Sequence, residues 1–117
     1  MKVSLMTTNP LFGKKQLQSD ELERDFQERV VALARTYGWS VYAVPDSRRA
    51  SLAGYPDLTM WNERLGKLIF VELKREKGKT SPAQERVLDQ LRVCKQQVYV
   101  WRPSDWDGTI LRTIKGN

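Results

Sequence analysis

The sequence contains no histidine. That absence removes the Ser-His-Asp triad, His-ligated zinc and nucleases built on a catalytic imidazole. Cysteine occurs once, at Cys94, so neither an intrachain disulfide nor a cysteine-ligated cluster can form. A lone thiol suits a reducing compartment, and its place in a helical apolar pattern predicts a buried small hydrophobe. No apolar run approaches the ~20 residues of a membrane span, and Val3–Met6 is too short and mixed for a secretory signal. The expectation is a soluble, cytoplasmic protein. Carboxylates and lysines are the catalytic material that remains.

The 117 residues fit one small domain, and 40% apolar content supports a modest core. Twenty basic and fourteen acidic residues leave a net charge of +6. That excess favours an anionic partner. Nucleic acid fits better than a membrane surface, because no basic amphipathic helix stands out; a basic protein without such a partner is the alternative.

The most informative stretch runs from Gly54 to Lys74. Two apolar, β-branched or aromatic runs, Gly54–Asn62 and Lys67–Lys74, flank Glu63-Arg64-Leu65-Gly66, a polar turn ending in glycine. This pattern predicts a β-hairpin. With Asn62 opposite Lys67, paired residues sum to 129, which places Asp57 opposite Glu72 on one face of the sheet. Two facing carboxylates repel unless something compensates. A divalent cation would, since Mg²⁺ takes oxygen ligands and is commonly held by one or two carboxylates. Lys74, one pleat beyond Glu72, is placed to orient water or to neutralise charge growing on a phosphate. The hairpin therefore predicts metal-assisted phosphodiester hydrolysis.

Around this hairpin the chain predicts helix, strand, strand, strand, helix, strand, helix: an α/β domain with a central mixed sheet. Residues 1–18 read as a flexible or loosely docked arm and 19–117 as the domain. Leu22, Phe26, Val30, Leu33 and Tyr37 form a helical stripe over Ser19–Tyr37, closed by Gly38. Trp39–Val44 reads as a strand. The loop Asp46–Gly54 carries Arg48 and Arg49 toward the acid pair, where arginine forks suit phosphate contact; a solvated loop is the alternative. Gly54 is expected at positive φ. Arg75, Lys77 and Lys79 follow Lys74 in a loop suited to a DNA backbone, or simply to solvent. Ser81-Pro82-Ala83-Gln84 spells a capping box, with Ser81 at N-cap and Gln84 at N3, ahead of a buried face of Val87, Leu88, Leu91 and Cys94. Gln97–Arg102 predicts a strand joined by crossover beside the Glu72 strand. A short helix after Pro103, weakened by Gly108, reaches Ile114.

Pro56-Asp57 with Glu72-Leu73-Lys74 resembles the PD-(D/E)XK nuclease signature. Ser47-Arg48-Arg49, Gly54-Tyr55-Pro56-Asp57-Leu58, Val71-Glu72-Leu73-Lys74, Ser81-Pro82-Ala83-Gln84 and Val98-Tyr99-Val100-Trp101-Arg102-Pro103 together look like the VRR-NUC family, in its small stand-alone form found in phages and bacteria. The resemblance spans roughly residues 20–107. It implies a restriction-endonuclease-like core and a Mg²⁺- or Mn²⁺-dependent endonuclease acting on branched or duplex DNA, similar to dimeric Holliday-junction resolvases. It also implies that Asp57, Glu72 and the Leu73 carbonyl ligate the metal. Glu23 would hold a metal water, Lys74 would position the attacking hydroxide, and Gln84 would lie near the site. Glu21 is the substitute for Glu23, and a capping box of Asp20 with Glu23 is the competing role for Glu23. A flap- or nick-directed nuclease and a non-catalytic branched-DNA-binding module are the alternative functions.

Overall fold

The computed structural model describes residues 21–45 and 51–117. Helix α1 spans Glu23–Thr36, strand β1 Ser40–Ala43, β2 Leu58–Asn62, β3 Lys67–Leu73, helix α2 Pro82–Val93 and strand β4 Gln97–Trp101. The chain then makes a 3-10 turn over Pro103–Asp105, a π-helical turn over Trp106–Ile110 and a last helix, α3, over Leu111–Lys115. The predicted order of elements holds, and α/β is the fold class. The terminal helix is the exception to a regular reading: Gly108 lies inside the π turn rather than in an α-helix.

Helix α1 is held by its spacing. Phe26, Val30 and Ala34, each four residues apart, are fully buried. They stack on one face of the helix because side chains four apart overlie one another. The helix starts at Glu23, later than the Ser19 expected, with Leu22 as N-cap and no side-chain cap. Leu22 is exposed, so it does not extend the buried stripe. At the other end Gly38 has φ +88°, and Gly38 and Trp39 donate their amides to the carbonyls of Arg35 and Ala34 at 3.1 and 3.0 Å. This is a Schellman closure, and it turns the chain directly into β1.

The four strands form one sheet in the order β1-β2-β3-β4. The first three run antiparallel, and β4 lies parallel to β3, with Glu72 beside Val100. In the hairpin Asn62 pairs with Lys67 and Leu58 with Val71, the register deduced from the turn. The turn is closed by buried Asn62, whose Oδ1 accepts from the Leu65 amide at 3.0 Å and whose Nδ2 donates to the Tyr37 carbonyl at 3.2 Å.

Period-two alternation divides the sheet into two faces. One carries Leu58, Met60, Ile69, Val71, Leu73 and Trp101, packed with α1 and with Ile110 and Ile114 as the core. Trp39 locks this layer by donating its indole N–H to the Ile114 carbonyl at 2.8 Å. The opposite face carries Thr59, Trp61, Leu68, Phe70 and Glu72. Helix α2 buries Val87 and Leu88 outside the main core. Tyr42, Trp61 and Leu68 on this second face stay 53%, 44% and 43% exposed. Cys94 is exposed as the C-cap of α2, contrary to its predicted burial. Its side chain comes after the last turn that covers the sheet. Periodicity continues past that point, but burial does not.

Candidate active site

The acids meet where β2 begins and β3 ends. Asp57 precedes β2 directly, and its carbonyl accepts from the Val44 amide at 3.1 Å, extending the ladder by one pair. Its Oδ2 accepts from the Leu73 amide at 2.8 Å. That bond holds Asp57 across from Glu72, as the register requires. Glu72 is 1% exposed, an unusual depth for a carboxylate. Its Oε2 accepts from Gln84 Nε2 at 2.7 Å and lies 3.6 Å from Lys74 Nζ. Its Oε1 is buried with no hydrogen-bond partner.

The electrostatics follow from this geometry. Burial, then the charge of Asp57, pushes the Glu72 carboxyl up from 4.5 to about 7, against the pull of Lys74. Asp57 is also raised, chiefly by burial; the Leu73 amide opposes the rise, and the charge of Glu23 adds to it. Glu23 therefore acts electrostatically on Asp57 from the first turn of α1. Its side chain is exposed, and among the described residues no three acids or cysteines gather closely enough to hold an ion. Leu22 stands at the N-cap, so Glu23 is the first residue of the helix rather than its N3 residue, and Asp20 lies outside the described residues. Glu21 is committed elsewhere: both its oxygens accept from Arg29, at 2.8 and 2.9 Å. The Arg29 guanidinium stacks 4.2 Å from the Trp106 ring centre.

Gln84 takes part in two sets of hydrogen bonds. The capping box with Ser81 is complete, and the same side chain reaches Glu72. Gly54 has φ +88°, and a Cβ there would fall 2.4 Å from the Ala83 carbonyl oxygen. The segment leading into Asp57 thus packs directly on the first turn of α2. That close approach has no local signal beyond the glycine itself. Tyr55, also missed, ties the segment to β2 through a 2.9 Å hydroxyl contact with Thr59 and sets its ring edge-on to Phe70.

The basic loop is pinned at alternate residues. Glu76 accepts from the Ser104 amide at 2.9 Å, and the Gly78 carbonyl accepts from Arg102 at 2.8 Å. Arg75, Lys77 and Lys79 between and beside these anchors are exposed. Arg48, Arg49 and the residue 1–18 arm lie outside the described residues.

A divalent cation fits the donor set. Both side chains offer hard oxygens, and an unpartnered buried acceptor such as Glu72 Oε1 costs about 1–3 kcal/mol unless a ligand satisfies it. Two carboxylates suffice for Mg²⁺, which keeps several waters.

The VRR-NUC domain family model matches residues 15–105 of the 117. The chain belongs to the VRR-NUC family. A solved VRR-NUC domain is 27% identical, covers 76% of this chain and 94% of its own, and superposes with a TM-score of 0.63. A second solved VRR-NUC domain protein is 19% identical, covers 83% and 91%, and gives 0.62. The second likeness supports the fold alone. No curated protein matches the chain. The VRR-NUC domain is a nuclease-family domain, a family that generally uses divalent metals and acts on DNA. Among the described residues no helix is long and apolar enough to cross a membrane.

Proposed function

We propose that this VRR-NUC protein is a Mg²⁺- or Mn²⁺-dependent, structure-selective DNA endonuclease, working as a homodimer in the manner of a Holliday-junction resolvase. The observation that carries the metal dependence is buried Glu72, facing Asp57, with one oxygen engaged by protein donors and the other free.

In this reading Asp57 and Glu72 would hold the cation with the Leu73 carbonyl, and Glu23 would complete the acidic set. A bound divalent ion supplies Lewis-acid polarisation of the phosphate and a lowered pKa for water. Gln84 keeps Glu72 oriented. Lys74 aims the attacking water oxygen at phosphorus and compensates the charge that develops as the P–O bond to the leaving group breaks. Arg75, Lys77 and Lys79 grip the backbone, a role proposed for Arg48 and Arg49 as well.

The homodimer is supported by the uncovered sheet face. Tyr42, Trp61 and Leu68 stand exposed together there, and none of the three is charged, in a chain with 29% charged residues. A face that meets its own copy across a two-fold axis cannot carry net charge without self-repulsion. A DNA-gripping patch would need cations, and Tyr42, Trp61 and Leu68 supply none. Residues 19–117 form the nuclease domain in this proposal, residues 1–18 an arm docked on it or on the partner subunit. The site of action is the cytoplasm of a bacterial cell or phage-infected host.

The test is a cleavage panel of four-way junction, flap, nicked duplex, linear duplex and single strand with Mg²⁺ or Mn²⁺. Paired symmetric cuts on the junction are expected. Preferential cutting of flaps or nicks would replace the resolvase reading. Mn²⁺ binding heat without cleavage of any substrate would favour a non-catalytic branched-DNA module.

A further inference from the structure

We propose that the Ser81–Gln84 capping box decides which oxygen of Glu72 is left for a ligand, and that Ser81 is a positioning residue of the site. The inference rests on the reading that Glu72 holds a divalent cation.

A glutamine amide has one accepting end and one donating end. Gln84 Oε1 accepts from the Ser81 backbone N–H at 2.8 Å. A backbone N–H can only donate, so the end of the amide facing it is the oxygen. The other end is then the nitrogen, and that nitrogen reaches Glu72 Oε2 at 2.7 Å. A flipped amide would set donor against donor at Ser81 and acceptor against acceptor at Glu72. One backbone N–H thus fixes the polarity of the side chain bridging to the buried acid. With Oε2 engaged by Gln84 and Lys74, Oε1 is the oxygen presented free.

The two halves of the box have separate consequences. Ser81 Oγ accepts from the Gln84 backbone N–H at 3.2 Å, which caps the helix. The Ser81 N–H orients the acid. The assembly is also seated from the other side, because Gly54 abuts Ala83 and Gln84 so closely that it admits no side chain. The segment carrying Asp57 and the turn carrying Gln84 therefore share one contact.

The halves can be separated by experiment. Ser81 has φ −79° and ψ 163°, a conformation open to proline. Ser81→Ala loses Oγ and keeps the N–H, whereas Ser81→Pro loses both. Both variants carry the same loss of cap, about 1 kcal/mol of stability. Mn²⁺ titration calorimetry and the side-chain amide resonances of Gln84 are the readouts. Ser81→Ala should bind Mn²⁺ within about threefold of wild type, and Ser81→Pro about tenfold or more weakly, the usual effect of losing a group that orients a ligand. The Gln84 resonances should stay in place in the alanine variant and collapse toward solvent-averaged positions in the proline variant. Equal Mn²⁺ affinities and unchanged resonances in both folded variants overturn the proposal. If Ser81→Pro does not fold, Gln84→Met replaces it, and wild-type Mn²⁺ affinity there overturns it equally. No Mn²⁺ heat in the wild type sinks the cation reading instead, and the Gln84 resonances alone then decide the orienting role.

Discussion

Replacing Glu72 by glutamine should stabilise the fold while destroying the site. The carboxyl is displaced from 4.5 to about 7, first by burial and then by Asp57. The native state therefore holds this proton more tightly than the unfolded chain. Its stability is greatest below about 4.5, falls as pH rises through about 7, and is flat above. The displacement corresponds to roughly 3 kcal/mol across that window. Glutamine has the same shape, accepts from Gln84 as the carboxylate does, turns a donor toward Asp57 and carries no charge to bury. In chelator, Glu72→Gln should match wild type near pH 4.5 and exceed it by roughly 3 kcal/mol at pH 8. For a chain of this length that is about 10 °C in Tm. Urea and thermal melts followed by circular dichroism at pH 4.5, 6 and 8 measure it. Mn²⁺ at pH 8 should raise the wild-type Tm and leave the variant unmoved. A stability difference that stays constant with pH would refute the reasoning, because Glu72 would then be ionised without cost.

Lys74→Met should keep Mn²⁺ binding and lower cleavage by about a hundredfold or more, since its ammonium acts on developing charge; cleavage at the wild-type rate would remove Lys74 from the mechanism. Gly54→Ala should lose more than about 1 kcal/mol, because the residue has φ +88° and its Cβ would meet the Ala83 carbonyl; chemical denaturation checks this. Neutralising Arg75, Lys77 and Lys79 should flatten the salt dependence of DNA binding by about 0.9 log units per lost phosphate contact, measured by fluorescence anisotropy from low to moderate salt. Trp61→Glu with Leu68→Glu should give monomers in analytical ultracentrifugation and abolish paired junction cuts; an unchanged sedimentation coefficient in a folded variant would exclude that face as the dimer contact.

The hairpin shows why part of this site could be read without coordinates. Turn length and period-two alternation determine strand register, and register alone puts residue 57 across from residue 72. The Ser81 box was equally legible, because a capping box is made within four residues. So was Gly38, whose positive φ follows from a helix that must end and reverse. The crossover that sets β4 beside β3 followed from a helix lying between two strands.

What the chain determined by itself was the local geometry: where strands pair, where helices end, and which acids face each other. What the tertiary structure decided was depth and company. Helix α2 settling over one end of the sheet buries Glu72 and brings Gln84 onto it, and no spacing in the sequence measures that approach. Arg29 draws Glu21 away from the site, leaving Glu23 as the acid whose charge reaches Asp57. Cys94 falls just past the covered turn and stays in water. Pairing and capping act over a few residues of chain, whereas desolvation depends on which distant surfaces close over a group, and that is why the acid pair was visible in the sequence and its raised pKa was not.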